Sequence, residues 1–238
     1  MSDHIIRLQT KVDEIFQHRQ TIRVLEAGCG SMSFVDLKEK ATIVGIDISL
    51  QQLQRNKSLH EAIHGDIMNY VFPPDSFDAI VCIDVLEHLD RPELALENFR
   101  AAVAAGGIVI LKLPNVWSLK GLLTKLSPHW FHVWFYRTIY GRKDAGRGDT
   151  APFKTFLKLA VGPPRLRRWC RDNRLGIVYE DYYESGYQKN LKKKLKVMGV
   201  ISPILERIVR ILSFGNLSFE RTEYVLVFQK PNKEPAAI

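Results

Sequence analysis

The chain has 238 residues, 46% hydrophobic and 25% charged, a profile that supports a full globular core without disulfides or structural metal. Its three scattered cysteines (Cys29, Cys82, Cys170) have no CxxC spacing, and its longest charge-free runs are 11 residues, which argues against a disulfide framework, a zinc knuckle and a membrane-spanning helix. The net charge of +8 is unevenly placed: residues 116–218 carry +13 and the rest −5, a separation that points to an anionic partner. Asp3 and His4 stand where a signal peptide would be basic, so a reducing, cytoplasmic setting is expected.

Residues 3–19 read as an amphipathic helix, with Asp3 at its start and Ile5, Leu8, Val12 and Ile15/Phe16 at helical spacing. Residues 21–26 read as a buried strand, followed by the tight segment Ala27-Gly28-Cys29-Gly30. A second strand spans 42–48, and Ser49 caps a polar helix to about His60. Short strand 62–64 leads into Gly65-Asp66, and strand 78–83 follows. Residues 92–105 read as a helix stopped by Gly106-Gly107, and strand 108–113 ends at Pro114. Apolar β-branched runs alternating with helices predict a parallel sheet covered on both faces.

Beyond Asn115 the pattern changes to an aromatic, basic segment, 116–163. Helix 164–175 is expected to stop at Gly176, and strand 177–183 follows. A second basic, apolar insertion covers 187–218, with a helix start expected at Ser202-Pro203 and an apolar face of Ile204, Leu205, Ile208, Val209 and Leu212. Strand 222–229 closes the sheet as an edge hairpin. The expectation is a single α/β domain over 1–238: a core of 20–115, an insertion or lid of 116–163 and a basic insertion of 187–218.

The chemistry gathers at strand ends. Glu26 precedes two glycines in a sharp turn, where backbone approaches a ligand closely and a helix start favours a negative group. Asp47 ends the second strand, where a carboxylate can accept both hydroxyls of a ribose. Asp66 follows the third, within reach of an adenine amino group. Asp84 to His88 follow the fourth, at the carboxyl edge where open α/β sheets bind ligands. Taken singly, these are a tight turn, a cap and a turn residue. An NAD site would want a glycine at position 33, which is Ser33.

Together the segments VLEAGCG (24–30), GIDIS (45–49), GDI (65–67), FDAIVCIDVLEHL (77–89) and GGIVILKLPN (106–115) resemble the class I S-adenosylmethionine-dependent methyltransferases. The resemblance is strongest to the branch with the ubiquinone-biosynthesis O-methyltransferases, and it covers about half the chain. It implies a Rossmann-like, seven-stranded, mostly parallel sheet with an antiparallel edge strand and two helical insertions. It implies S-adenosyl-L-methionine as cofactor, with Glu26, Gly28, Cys29 and Gly30 around its methionine part and Asp47 and Ile48 on the ribose side. Asp66 and Ile67 would lie at the adenine, and Ile83 and Asp84 beside the amino-acid portion. The third glycine usual in the first motif is Met32 here, which loosens the match at the helix start.

The reaction implied is in-line attack on a sulfonium methyl, where the protein mainly positions reactants and excludes water. His88 is the candidate base for a hydroxyl acceptor, and a cofactor-shaping role stands beside it. Asp84, Glu87 and His88 also resemble a variant E-x-x-E-H metal motif that would suit Mg2+, although a metal is not the favoured reading. Residues 128–140 read either as an aromatic lid offering His129, His132, Tyr136 and Tyr140 to an acceptor, or as a hairpin with its own small core. Residues 189–212 read either as an interfacial helix at an anionic membrane or as a lysine face beside a buried helix. The leading expectation is O-methylation of a small, apolar or membrane-associated acceptor. RNA methylation and a catalytically silent cofactor-binding protein are the alternatives.

Overall fold

The computed structural model describes residues 3–31, 40–138, 141–146, 155, 156, 158–194, 196–213 and 217–232. Met32, Ser33, Tyr140 and residues 147–152 lie outside them. After α1 (Asp3–Phe16), the strands β1 (Ile22–Ala27), β2 (Ala41–Asp47), β3 (Glu61–His64), β4 (Phe77–Ile83) and β5 (Val103–Pro114) come in turn. Helix α2 (Leu50–Arg55) follows β2, and α3 (Pro92–Ala102) lies between β4 and β5. Beyond β5 come α4 (Leu119–Leu126), α5 (His129–Thr138), α6 (Pro163–Asp172), β6 (Gly176–Tyr183), α7 (Gly186–Lys194), α8 (Lys196–Leu212) and β7 (Glu223–Gln229).

The seven strands form one sheet in the order β3-β2-β1-β4-β5-β7-β6. β1 to β5 pair parallel, and β7 runs antiparallel to both β5 and β6. The expected antiparallel strand is therefore present, but one place in from the edge, and β6 forms the edge. The chain leaves β1 toward β2 and β3, then returns to β4 on the other side. That reversal leaves a crevice at the carboxyl ends of β1 and β4, the place where open α/β sheets bind ligands.

Strand side chains alternate between two buried layers, as a period of two demands. Leu25, Ile80, Val109, Leu111 and Phe228 face one layer with Ala95, Leu96 and Phe99 of α3 and Leu166 and Cys170 of α6. Val24, Ala79, Val81, Ile108 and Val227 face the other with Val12 and Phe16 of α1. Both faces are covered, so the central strands are apolar on both sides.

Several boundaries differ from the sequence reading, each for a local reason. Helix α3 stops at Ala102, where Val103 turns extended (φ −71°, ψ 133°) and opens β5. Gly106-Gly107 lie inside β5, where its pairing with β4 shifts register. Gly106 has φ +74°, and a Cβ on Gly107 would come within 2.7 Å of the Asp78 carbonyl. Helix α6 is closed by Arg174 in the left-handed region (φ 57°), with the Leu175 N–H donating to the Cys170 carbonyl at 2.8 Å, and Gly176 opens β6 instead. Helix α2 ends at Arg55, and its start is as expected, with Ser49 Oγ accepting from the Gln52 N–H at 3.3 Å. Pro203 lies inside α8, which starts at Lys196.

Candidate active site

The turn after β1 is bound to β2. The N–H groups of Gly28 and Cys29 both donate to the Ile46 carbonyl, at 2.8 and 3.2 Å. The Gly30 N–H donates to Asp47 Oδ2 at 2.8 Å, and the Ser49 N–H to Asp47 Oδ1 at 2.8 Å. Gly28 and Gly30 hold φ of +73° and +55°, and a Cβ on Gly28 would run into Val85 beyond β4. Asp47 thus fixes the turn and still has lone pairs to offer, since a carboxylate accepts about four hydrogen bonds. Beside it Ile48 is 72% exposed, an apolar surface at the rim.

Glu26 is buried at the end of β1, level with Gly45 and Val81. Cys29 is buried too, and burial, with Asp47 and Glu26 nearby, pushes its thiol up to about 12. Its sulfur packs toward Gly45. The Cys29 thiol therefore faces the core, and its amide donates to Ile46. The same holds for the Ile67 side chain, which is a core residue. Asp66 sits one strand further out, where its carboxylate accepts from the Met68 N–H at 2.8 Å and the Asn69 side-chain amide at 2.9 Å. The loop thereby holds Asp66 at the rim, and the turn reading and the binding reading are both consistent with its place.

Past β4, Asp84 adopts φ 54°, a left-handed conformation that non-glycine residues seldom take. Two contacts to Lys112 of β5 hold it there. The Asp84 N–H donates to the Lys112 carbonyl at 2.8 Å, and the Lys112 ammonium sits 2.6 and 2.5 Å from the two Asp84 carboxylate oxygens. The same ammonium is 3.1 Å from Glu223 at the start of β7. Burial works to lower the lysine, but Asp84 and Glu223 outweigh it, so the net shift is upward and Lys112 stays charged. Sequence reading missed Lys112. Its signal was a lone cation in the otherwise apolar run IVILKL.

Glu87 lies in a short 3-10 turn, Leu86–His88, and is 3% exposed. Its Oε2 has no hydrogen-bond partner among the described residues, and its Oε1 lies 4.0 Å from His88 Nε2. Burial, and then the charge of Asp84, raises the Glu87 carboxyl well above the usual carboxylate range. The His88 ring is partly open, with Nδ1 3.4 Å from Thr155 Oγ1. The Phe156 N–H donates to the Glu87 carbonyl at 2.8 Å. Residues 155 and 156, which the sequence reading did not single out, thus cross over the E-H pair.

The variant metal motif does not assemble. Sharing one face at i, i+3 and i+4 needs a continuous helical turn, and Asp84 is left-handed ahead of a three-residue turn. The Asp84 carboxylate is turned to Lys112, and among the described residues no group of three or more His, Cys, Asp or Glu is placed to hold a metal ion.

The aromatic helix α5 fully buries none of its residues among those described. Trp130, Phe131 and Trp134 are 70, 39 and 50% exposed and contact one another edge-on or tilted. His129 is exposed, His132 Nε2 lies 2.8 Å from Ser127 Oγ, and the half-buried Tyr136 accepts the Arg142 N–H on its carbonyl.

The chain is similar to known proteins in sequence and fold. Residues 3–144 match the model of the methyltransferase domain family. The chain belongs to that family. It is 32% identical over 114 residues to a tRNA (carboxymethyluridine(34)-5-O)-methyltransferase of Arabidopsis thaliana, covering 44% of this chain and 27% of that protein. It is 29% identical over 104 residues to a ubiquinone biosynthesis O-methyltransferase of Klebsiella pneumoniae, covering 39% and 43%. The chain thus spans less than half the length of these relatives. A SAM-dependent methyltransferase from Archaeoglobus fulgidus shares the fold over 96% of this chain and 95% of its own, with a TM-score of 0.58 and 18% identity.

The buried acid makes a prediction. Glu87 keeps a proton in the folded state that the unfolded chain releases above its ordinary value of 4.5. Stability therefore falls as pH rises from that value toward the folded one, by up to about 1.4 kcal/mol per pH unit from this group. Glu87→Gln removes that slope. In thermal melts from pH 5 to 8 the variant should gain on wild type with rising pH, by about 1 kcal/mol or more; parallel profiles would show that Glu87 is ionised in the fold.

Proposed function

We propose that this chain is an S-adenosylmethionine-dependent methyltransferase acting on a hydroxyl of a small, apolar acceptor at a membrane surface. The observation that carries the donor reading is the Asp47 carboxylate at the tip of β2, bonded to the Gly30 N–H across the Gly28–Gly30 turn with the exposed Ile48 beside it. These residues fit the donor: Asp47 has acceptor capacity left for ribose hydroxyls, Ile48 offers an apolar face for a purine, and Asp66 stands at the next strand end. The bound donor supplies a methyl group already activated on a sulfonium. The protein's part is to hold the acceptor oxygen in line with that methyl and to exclude water. With that donor bound, His88 would take the proton of the acceptor hydroxyl as its oxygen receives the methyl group. Thr155 orients the His88 ring.

The membrane reading rests on α8. Ile201, Ile204, Ile208, Ile211 and Leu212 fall within an arc of about 100° and are 39 to 77% exposed. The reading of this face as buried against the body is not supported for these residues. Surface helices of globular domains turn such a face inward. An outward apolar stripe in a segment of net +13 suits an anionic bilayer surface. No helix among the described residues is long and apolar enough to cross a membrane, so the contact proposed is peripheral. The basic segment and the tRNA-modifying relative favour an RNA acceptor as the second reading. Salt-dependent retention on RNA without retention on anionic vesicles would select it.

Three outcomes are expected. Asp47→Ala should weaken S-adenosylmethionine binding at least about tenfold by calorimetry, since charge-assisted hydrogen bonds are lost; unchanged affinity would end the donor assignment. His88→Ala should leave donor affinity nearly intact and slow S-adenosylhomocysteine release with a lipid extract by about a hundredfold; unaltered turnover would remove His88 as base. Ile204→Asp with Ile208→Asp should cut co-sedimentation with anionic vesicles by about tenfold or more, each isoleucine being worth about 1.5–3 kcal/mol when buried. Failure of the unaltered protein to co-sediment would retire the membrane contact.

A further inference from the structure

A second concavity lies on the same rim, away from the donor residues. It has a volume of about 390 Å³ and is lined in part by Asn115, Trp117, Arg167, Tyr182, Arg210 and Arg221. Small-molecule sites begin at about 300 Å³. The topology places it at the carboxyl edge: Asn115 follows β5, Tyr182 is next to last in β6, and Arg221 is two residues before β7. In register, Tyr182 faces Tyr224, which faces Leu113. Lys112, one residue on, reaches both Asp84 and Glu223. The cavity therefore continues the rim on the side where an acceptor would approach.

Its charge is unbalanced in a particular way. Arg167 is held in place, donating to Glu180 at 2.8 Å and to the Tyr182 hydroxyl at 2.7 Å. The Arg221 guanidinium lies 5.8 Å from the centre of the Tyr182 ring. Among the described residues, neither Arg210 nor Arg221 is paired with a carboxylate. The acid in the cavity wall, Glu206, is already committed. It accepts from Ser218 Oγ at 3.1 Å, the Phe219 N–H at 2.5 Å and the Glu220 N–H at 3.1 Å. Three arginines thus line a space in which, among the described residues, the one lining carboxylate has its oxygens occupied by hydroxyl and amide donors. Arginine clusters of this kind bind oxyanions through paired N–H groups.

Helix α8 links the cavity to its outer face. Glu206 and Arg210, four residues apart, share one face and line the cavity. The opposite face is the exposed stripe from Ile201 to Leu212. A free oxyanion would need no apolar outer face on the helix that binds it. An amphiphile whose head leaves a bilayer would meet both.

We propose that this cavity binds the anionic head group, a phosphate-type oxyanion, of an amphiphilic acceptor. The inference rests on the methyltransferase reading above and adds the substrate class. Arg210 and Arg221 grip the oxyanion, Arg167 sets the wall, and Trp117 and Tyr182 pack along the first apolar part of the molecule.

The full chain is titrated by calorimetry with dodecyl phosphate below its micelle concentration, dodecyltrimethylammonium, inorganic phosphate and a short single-stranded RNA. Dodecyl phosphate should bind the unaltered protein, and Arg210→Glu and Arg221→Glu should each weaken it at least about tenfold. Both arginines are exposed, so these variants should fold. Equal affinity in both variants, no binding, or equal affinity for the ammonium amphiphile would overturn the proposal. Inorganic phosphate binding as tightly as dodecyl phosphate would overturn the amphiphile assignment, and RNA outcompeting it would assign the cavity to nucleic acid. S-adenosylmethionine titrated into the same samples separates the two readings. Donor binding without dodecyl phosphate binding fails this inference alone, and the reverse fails the methyltransferase reading.

Discussion

Three backbone N–H groups decide where this molecule's chemistry can sit. Gly28, Cys29 and Gly30 all donate across the sheet to the end of β2, two to the Ile46 carbonyl and one to the Asp47 carboxylate. A strand that leaves a sheet exposes polar backbone, and that backbone must find partners or lose stability. Here the partners lie on the neighbouring strand, so the loop after β1 folds down over β2 and stays there. The left-handed φ at two of the three positions is the cost of that path, and glycine is the residue that takes it at least expense. Asp47 is set in place by the same bonds that fix the turn. The candidate donor site is thus a consequence of satisfying the end of β1, and it is preorganised before any ligand arrives.

The rim beyond β4 is organised by a different device. Lys112 stands between Asp84 and Glu223, so one ammonium ties β4, β5 and β7 together at their common rim. The antiparallel course of β7 is what makes this work, because it brings the first residue of β7 to the end where β5 finishes. A partly buried cation with two carboxylates is kept charged, while the acid next in line, the fully buried Glu87, is pushed toward its protonated form. Burial without partners favours neutral groups, and burial with partners favours ions. The two outcomes sit a few residues apart, and the Asp84 charge contributes to both.

Much of this was legible in the sequence, and the reason is burial on both faces. β1, β2, β4 and β5 lie inside the sheet and show as apolar runs, and the acids at or just past the ends of β1, β2 and β4 (Glu26, Asp47, Asp84) stand at the edge where open α/β sheets bind ligands. Other features share local signatures that mean different things. Gly106-Gly107 reads as a helix stop and is instead an irregularity inside β5, because Val103 had already turned extended. Gly176 reads as the end of α6, yet Arg174 took the left-handed position. The insertion of β7 between β5 and β6 follows from pairing, which alternation within one strand does not encode. Asp84, Glu87 and His88 had metal-like spacing, but spacing implies a shared face only if one helical turn runs through all three, and Asp84 is left-handed ahead of the turn that holds the other two. The three cavity arginines lie up to 54 positions apart in the chain and share no common motif.

The apolar stripe of α8 illustrates what pattern alone leaves undetermined. A hydrophobic face at helical spacing predicts that something covers it, and in most domains that is the core. Here the helix is tethered by its polar face instead, through Glu206 on Ser218 and the amides of Phe219 and Glu220. Burying a carboxylate's hydrogen bonds at the body fixes the helix's rotation, and rotation is what turns the isoleucines outward. The same rotation points Arg210 into the cavity. One polar anchor therefore sets two surfaces at once: a basic wall toward the rim of the sheet and an apolar wall away from it. A ligand that is itself divided into a charged end and a greasy end is the chemistry that such a helix matches on both sides.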